Sequence, residues 1–183
     1  MREIEQAILI TGGSGFIGRL TAARLLREGA QKIVLPVRAK HAIETLRAAL
    51  AAELVAENAD PKLAERVTYM TLPETEAIMS LRPELEALGV SEIVHAAASL
   101  DYFDEAAAQA INIDLTAAIL ALGQALRIRR FIYISTAFSS GVVDGLIRER
   151  LPGPPTEDLT VYTRSKRAAE HLVAESSKLA DPR

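Results

Sequence analysis

A chain of 183 residues, 49% hydrophobic and 25% charged, is long enough for one well-cored domain and has the balance of a soluble globular protein. Its net charge of -3, with no basic stripe, gives nucleic acid and anionic membrane surfaces no electrostatic footprint. The lack of cysteine excludes disulfides, thiolate nucleophiles and cysteine-based zinc sites, and no metal site is expected.

The start, Met-Arg-Glu-Ile-Glu-Gln, leads into a short apolar run that is not a signal peptide, and no stretch of about 18 apolar residues offers a membrane span. A cytoplasmic location is the resulting expectation. Ala7 to Thr11 is a buried-strand run that ends in Gly12-Gly13-Ser14-Gly15. A helical pattern follows from about Phe16 to Glu28, with Gly29 as its stop. Ile33 to Val37 is the second strand. Pro36 cannot donate to a ladder, which places it near the strand's end or at an irregularity.

A second helix is predicted from about His41 to Asn58, giving way at Asp60-Pro61. Arg66 to Met70 forms a weaker third strand. Glu76 to Leu88 is helical, with Pro83 as a break or restart. Ile93 to Ala97 is the fourth strand, followed by a helix over Asp104 to Leu126 and a fifth strand over Arg130 to Ser135. A loop through Gly153-Pro154-Pro155 leads to a last helix over Val161 to Leu179.

This alternation predicts one α/β domain over residues 1–183, because parallel strands need crossover connections that cover both faces of the sheet. Right-handed crossovers give a doubly wound, Rossmann-like parallel sheet with strand order 3-2-1-4-5.

The first turn carries the most chemistry. In Thr11-Gly12-Gly13-Ser14-Gly15-Phe16-Ile17-Gly18, Gly12 permits a tight turn and Gly15 lets backbone approach a diphosphate. Gly18 lets the helix pack closely on the strand. The helix start then offers free N–H groups and a positive dipole end to phosphate oxygens. An acidic residue after the second strand would grip a ribose 2′-hydroxyl and favour NAD. This chain has Val37-Arg38-Ala39-Lys40 there. A guanidinium suits a 2′-phosphate, so Arg38, with Lys40 in support, favours NADP(H).

The glycine turn, His95-Ala96-Ala97, Ser135-Thr136 and Tyr162-Thr163-Arg164-Ser165-Lys166 occur in order. Together they resemble the extended short-chain dehydrogenase/reductase family. The glycine turn, Arg38 and the Ile-Ser-Thr strand end resemble its thioester-reductase and fatty-acyl-CoA-reductase branch. The resemblance implies a catalytic set of Thr136, Tyr162 and Lys166, with Ser135 as the neighbour that could replace Thr136. It also implies a cofactor site lined by Gly12, Ser14, Gly15, Phe16, Ile17, Gly18, Arg38, His95, Ala96, Ala97 and Lys166.

Elementary chemistry is consistent with that set. Tyr162 and Lys166 are four apart on a predicted helix and share a face. Tyrosine is a poor base at neutral pH, and a nearby ammonium favours its phenolate, which suits a proton donor or acceptor. Thr136, at the end of the fifth strand, would hydrogen-bond the reacting carbonyl oxygen. Asn112 resembles the family's asparagine and is expected to order backbone or water. His95 is expected to pack and hydrogen-bond near the cofactor, and His41 and His171 to be solvated helix residues.

Two departures stand out. The family's acidic residue after the third strand is missing from Tyr69-Met70-Thr71-Leu72-Pro73-Glu74, and the glycine usual after Asn112 is replaced. Members of the family also continue well past the Tyr-x-x-x-Lys helix, so the portion that selects the substrate is expected to be largely absent from this chain. The exposed edge at strand five and the two neighbouring helices make a homodimer a further expectation. The expected function is NADPH-dependent reduction of a small-molecule carbonyl, either an acyl thioester or an aldehyde. The alternatives are a sugar-nucleotide epimerase or dehydratase and a non-catalytic dinucleotide-binding module.

Overall fold

The computed structural model of the protein describes residues 6–38, 43–148, 150–151, 153 and 160–180. Five parallel strands make one sheet: β1 (Ala7–Thr11), β2 (Lys32–Val37), β3 (Val67–Thr71), β4 (Val90–His95) and β5 (Arg130–Tyr133). Their spatial order is β3-β2-β1-β4-β5, as the alternation predicts. The chain reverses its direction of travel across the sheet between β1 and β4, which opens a crevice at their carboxyl ends.

The inner strands are apolar throughout because both faces are covered. From β1 and β2, Ile10, Ile33 and Leu35 join Ala22, Ala23 and Leu26 of α1 (Phe16–Arg27) and Leu50 and Leu54 of α2 (Ile43–Ala56). On the other face, Leu9, Val34, Met70 and Ile93 meet a cluster drawn from three helical segments. These are a 3-10 turn (Thr75–Leu81), α3 (Arg82–Ala87) and α5 (Leu115–Leu126), which contribute Ile78, Leu85, Ile119 and Leu122. Each leucine, isoleucine, valine or methionine among them stabilises the fold by about 2 kcal/mol relative to exposure.

Pro36 sits one residue from the end of β2, in register with Met70 of β3. Val37 accepts from Leu72 N–H on the β3 side, so Pro36 faces the β1 side, where pairing has already ended at Leu9 and Val34. No ladder bond is lost. Pro83 likewise occupies the first turn of α3, restarting a helix after the 3-10 segment. Gly29, at φ 102°, ends α1 as expected, and Ala30 N–H closes back on Leu25 O.

Boundaries differ most around the fourth and fifth strands. β4 begins three residues earlier than its sequence pattern predicts and ends at His95, while β5 stops at Tyr133, two residues before Ser135. The segment 105–126 is helical but not uniformly α. A short α4 (Glu105–Ala107) runs into a seven-residue π-helix (Ala108–Asp114) before α5. Apolar periodicity alone does not show such a register change. By length and apolar character this 22-residue run could cross a membrane, contrary to the sequence-based expectation. Here Leu115, Ile119 and Leu122 are buried in the core. The last helix, α6 (Val161–Ala180), closes the described chain.

Candidate functional site

The turn after β1 is shaped by steric exclusion. Gly12 has φ 73°, and a Cβ there would lie 2.6 Å from Ala97 N and 2.7 Å from Ala96 C. The turn is thereby pressed against the segment that follows β4. A Cβ on Gly18 would strike Gly12 O and lie 2.7 Å from Gly12 C, so α1 approaches the turn as closely as backbone allows. Gly15 N–H closes the turn on Gly12 O at 2.9 Å.

Gly15 is also the N-cap of α1 and provides no side-chain cap, and the first turn carries no acidic residue. The start of α1 is thus an uncapped, positive helix end at the mouth of the crevice. Ser14 is partly buried there, while Phe16 and Ile17 are 65% and 48% exposed on the first turn. This cradle fits a diphosphate: the first-turn N–H groups have no side-chain cap, and Gly12, Gly13 and Gly15 present no Cβ. Arg38 follows β2 directly and is exposed. Lys40 and His41 lie outside the described residues. His171 is exposed on α6.

The opposite side of the crevice is built from polar side chains. α6 opens with a reciprocal threonine cap, in which Thr163 N–H donates to Thr160 Oγ1 at 3.1 Å and Thr160 N–H donates to Thr163 Oγ1 at 3.2 Å. Val161 N–H donates to Tyr102 O, and the Tyr102 ring meets the Tyr162 ring edge-on at 5.7 Å. Lys166 is buried. Its Nζ donates to Ile134 O at 2.6 Å and lies 4.1 Å above the Tyr133 ring. Burial lowers its pKa to about 8, opposed by the Glu170 carboxylate one turn along.

One residue on, Arg167 Nη1 donates to Ser139 O at 3.1 Å. The stretch 134–139 is therefore tied to α6 at two points, and Thr136 lies between them. Thr136 caps a 3-10 turn (Ala137–Ser140), accepting from Phe138 N–H at 3.3 Å. Ser135 Oγ is buried with no partner among the described residues.

His95 ends β4 at full burial, with Nδ1 2.6 Å from Thr11 Oγ1 and Nε2 2.9 Å from Thr116 Oγ1. Its ring stacks on that of Tyr133 at 5.8 Å. Burial, with help from the Lys166 charge, lowers its pKa to about 3, so the imidazole is neutral. Asn112, in the π-helix, accepts from Ser99 N–H at 2.8 Å and donates to Ser99 O and to Ser165 Oγ. Thr11, Thr116, Ser165, Tyr102 and Tyr133 carry these contacts and were not singled out by sequence. Their partners are 21 to 84 positions away in several cases, a distance at which spacing says nothing.

Comparison with known proteins bears on the family and the fold. The family described as "Male sterility protein", an NAD-binding family, matches residues 10–181. The human protein named fatty acyl-CoA reductase 2 is 27% identical over 152 residues, which are 74% of this chain and 28% of that protein. Among solved structures, the terminal R domain of the myxalamid PKS-NRPS biosynthetic pathway superposes with a TM-score of 0.76 and 26% identity. The alignment covers 97% of this chain and 47% of that one. The UDP-glucuronic acid 4-epimerase of Bacillus cereus, solved with NAD, gives 0.71 and 24% over 94% of this chain and 52% of that one, a likeness of fold. The chain thus spans about half the length of these structural neighbours and less of the human relative.

Proposed function

From the premise that the chain belongs to the male sterility protein family of NAD-binding proteins, on the fatty-acyl-CoA-reductase-like branch of the extended short-chain dehydrogenases/reductases, we propose that it is the NADP(H)-binding and catalytic part of a carbonyl reductase. The observation that carries this reading is convergence. The uncapped start of α1 and the Tyr162–Lys166 face of α6 both border the crevice at the carboxyl edge of the sheet.

The residues fit the dinucleotide one by one. Backbone N–H groups of the Gly12–Gly18 turn take the diphosphate, and Ser14, Phe16 and Ile17 border it. Arg38 takes the 2′-phosphate, two of whose oxygens a planar guanidinium matches in parallel hydrogen bonds. Ala96 and Ala97, held against Gly12, form the floor, with His95 buried beneath them. When bound, the nicotinamide supplies the hydride.

The protein's own chemistry is then positioning and proton delivery. Thr136 donates a hydrogen bond to the carbonyl oxygen, and Tyr162 transfers its phenolic proton to that oxygen as the carbon is reduced. An aldehyde becomes an alcohol; a thioester gains hydride and proton and expels its thiol, leaving an aldehyde. Lys166 keeps a cation on the Tyr162 face of α6, and with its pKa near 8 it exchanges its own proton just above neutrality. Leu100, Tyr102 and Phe103, exposed on the loop after β4, give an acyl chain an apolar approach.

Activity is tested with an acyl thioester and an aldehyde under NADPH, followed by nicotinamide absorbance. Turnover that falls about a thousandfold in Tyr162→Phe is expected. Cofactor binding without turnover on either carbonyl supports the dinucleotide-binding module instead, and tightly held NAD supports the epimerase reading.

A further inference from the structure

Between the glycine turn and α6 lies a chain of buried hydrogen bonds whose central members take no part in the reaction just described. Their directions follow from counting protons. Thr116 Oγ1 donates its single hydrogen to Asn112 O at 2.8 Å, so at its 2.9 Å contact with His95 Nε2 it can only accept. His95 therefore carries its proton on Nε2. In the neutral ring Nδ1 is then an acceptor, and Thr11 Oγ1 donates to it at 2.6 Å. Thr11 Oγ1 in turn accepts Ala97 N–H at 3.4 Å, beside the backbone that presses on Gly12. At the far end, Asn112 Nδ2 donates to Ser165 Oγ at 2.9 Å, and Ser165 Oγ donates to Tyr162 O at 2.9 Å.

Every hydrogen in this series has one destination, and Thr11, His95, Thr116, Asn112 and Ser165 are all 4% exposed or less. Water cannot replace a missing member, and an unpaired polar atom at that depth carries the full desolvation penalty. Other hydrogen bonds and ion pairs of α6 run to the segment after β5, to the loop after β4, to Gln124 of α5 and to Glu105. Among the described residues, this series joins the first turn of α6 to β1. Asn112 lies in the π-helix and links the two parts of the series, its backbone O taking the Thr116 hydroxyl and its side-chain amide reaching Ser165.

We infer that Thr11, His95 and Thr116 are positioning residues, which hold the Tyr162 turn of α6 in register with the glycine turn through Asn112 and Ser165. The catalytic consequence rests on the reductase reading above; the mechanical coupling does not. Tyr162 and Lys166 gain nothing chemical from the series, but their distance from a nucleotide on the glycine turn is fixed by it.

The test is Thr116→Val, which keeps the shape and removes the hydroxyl, against Thr116→Ser, which restores it. Amide hydrogen exchange of 161–167 is expected to quicken at least about tenfold in Thr116→Val, which loses the hydroxyl's bonds to both Asn112 O and His95 Nε2, and to return to the original rate in Thr116→Ser. Exchange in α1 stays unchanged, and NADPH affinity moves less than about twofold. In the turnover assay kcat falls about tenfold to a hundredfold with KM held, as for a misplacement of roughly 1 Å. Thr11→Val cuts the series at its β1 end and should reproduce the faster exchange of 161–167, which decides the matter if Thr116→Val does not fold. Exchange that rises equally in α1 and α6, or does not rise, overturns the coupling, as does a serine variant that behaves like valine. If the unaltered protein turns over no carbonyl, the reductase reading fails and the exchange data still judge the coupling.

Discussion

The β1–β2 half of the sheet and the β4–β5 half are built on different physics. In the first, glycine sterics and apolar burial do nearly all the work: β1 and β2 are buried along almost their whole length, and α1 ends on a glycine at φ 102°. In the second, β5 is half exposed, buried polar side chains pack between β4, the π-helix and α6, and α5 ends on Arg127 at φ 53°. Apolar packing tolerates small losses one residue at a time. A buried polar series fails at its weakest link, because each member depends on its neighbour's geometry.

That contrast is sharpened by substitution in order of expected effect. Gly18→Ala, in the first half, drives a methyl into the Gly12 backbone and should cost about 3 kcal/mol in denaturant unfolding, with loss of NADPH binding. An effect below about 1 kcal/mol would mean that α1 can slide, and the steric account of that half would be wrong. In the second half, Asn112→Ala strands Ser99 N–H and Ser165 Oγ and should cost about 2 to 3 kcal/mol, measured the same way.

Acid should then distinguish the halves through His95. Its pKa is about 3 in the folded protein and near 6.5 when unfolded, so the folded state resists the proton. The resulting stability is whole above pH 6.5 and is lost as pH falls from there towards 3, at about 1.4 kcal/mol per unit. Between pH 7 and pH 5 the protein should lose about 2 kcal/mol that His95→Gln does not lose. Parallel pH profiles for the two would sink this assignment. Smallest of all, Arg127→Gly should stabilise by about 0.5 to 1 kcal/mol, since glycine meets no Cβ penalty at positive φ, whereas Gly29→Ala should destabilise by a similar amount.

The same contrast explains what the sequence reveals. The glycine turn and the proline positions are local or steric signals read from consecutive residues, and strand order follows from the alternation along the whole chain with the handedness of its crossovers. Gly12, Gly15 and Gly18 stand where their spacing predicts. That His95 would pack and hydrogen-bond is legible. Its partners Thr11 and Thr116, and the place of Ser165, are not, because small hydroxyl residues on a strand, an apolar helix and a polar helix meet only once the fold forms. The π-helix was hidden for a related reason, since Ala-rich apolar periodicity is compatible with both α and π registers. Lys166 illustrates the middle case. Its place four residues after Tyr162 is legible, but its contact with Ile134 O and the Tyr133 ring is tertiary.

The central claim is that the crevice holds NADP(H) through the glycine turn and Arg38. Arg38 is exposed, so Arg38→Ala should leave stability within about 0.5 kcal/mol and any change in binding belongs to the ligand. The direct measurement is a parallel titration of the protein and this variant with NADPH and NADH, followed by nicotinamide fluorescence. NADPH should bind at least about tenfold more tightly than NADH, and the variant should erase that preference. Equal affinity for the two, or a preference that survives the substitution, would contradict it.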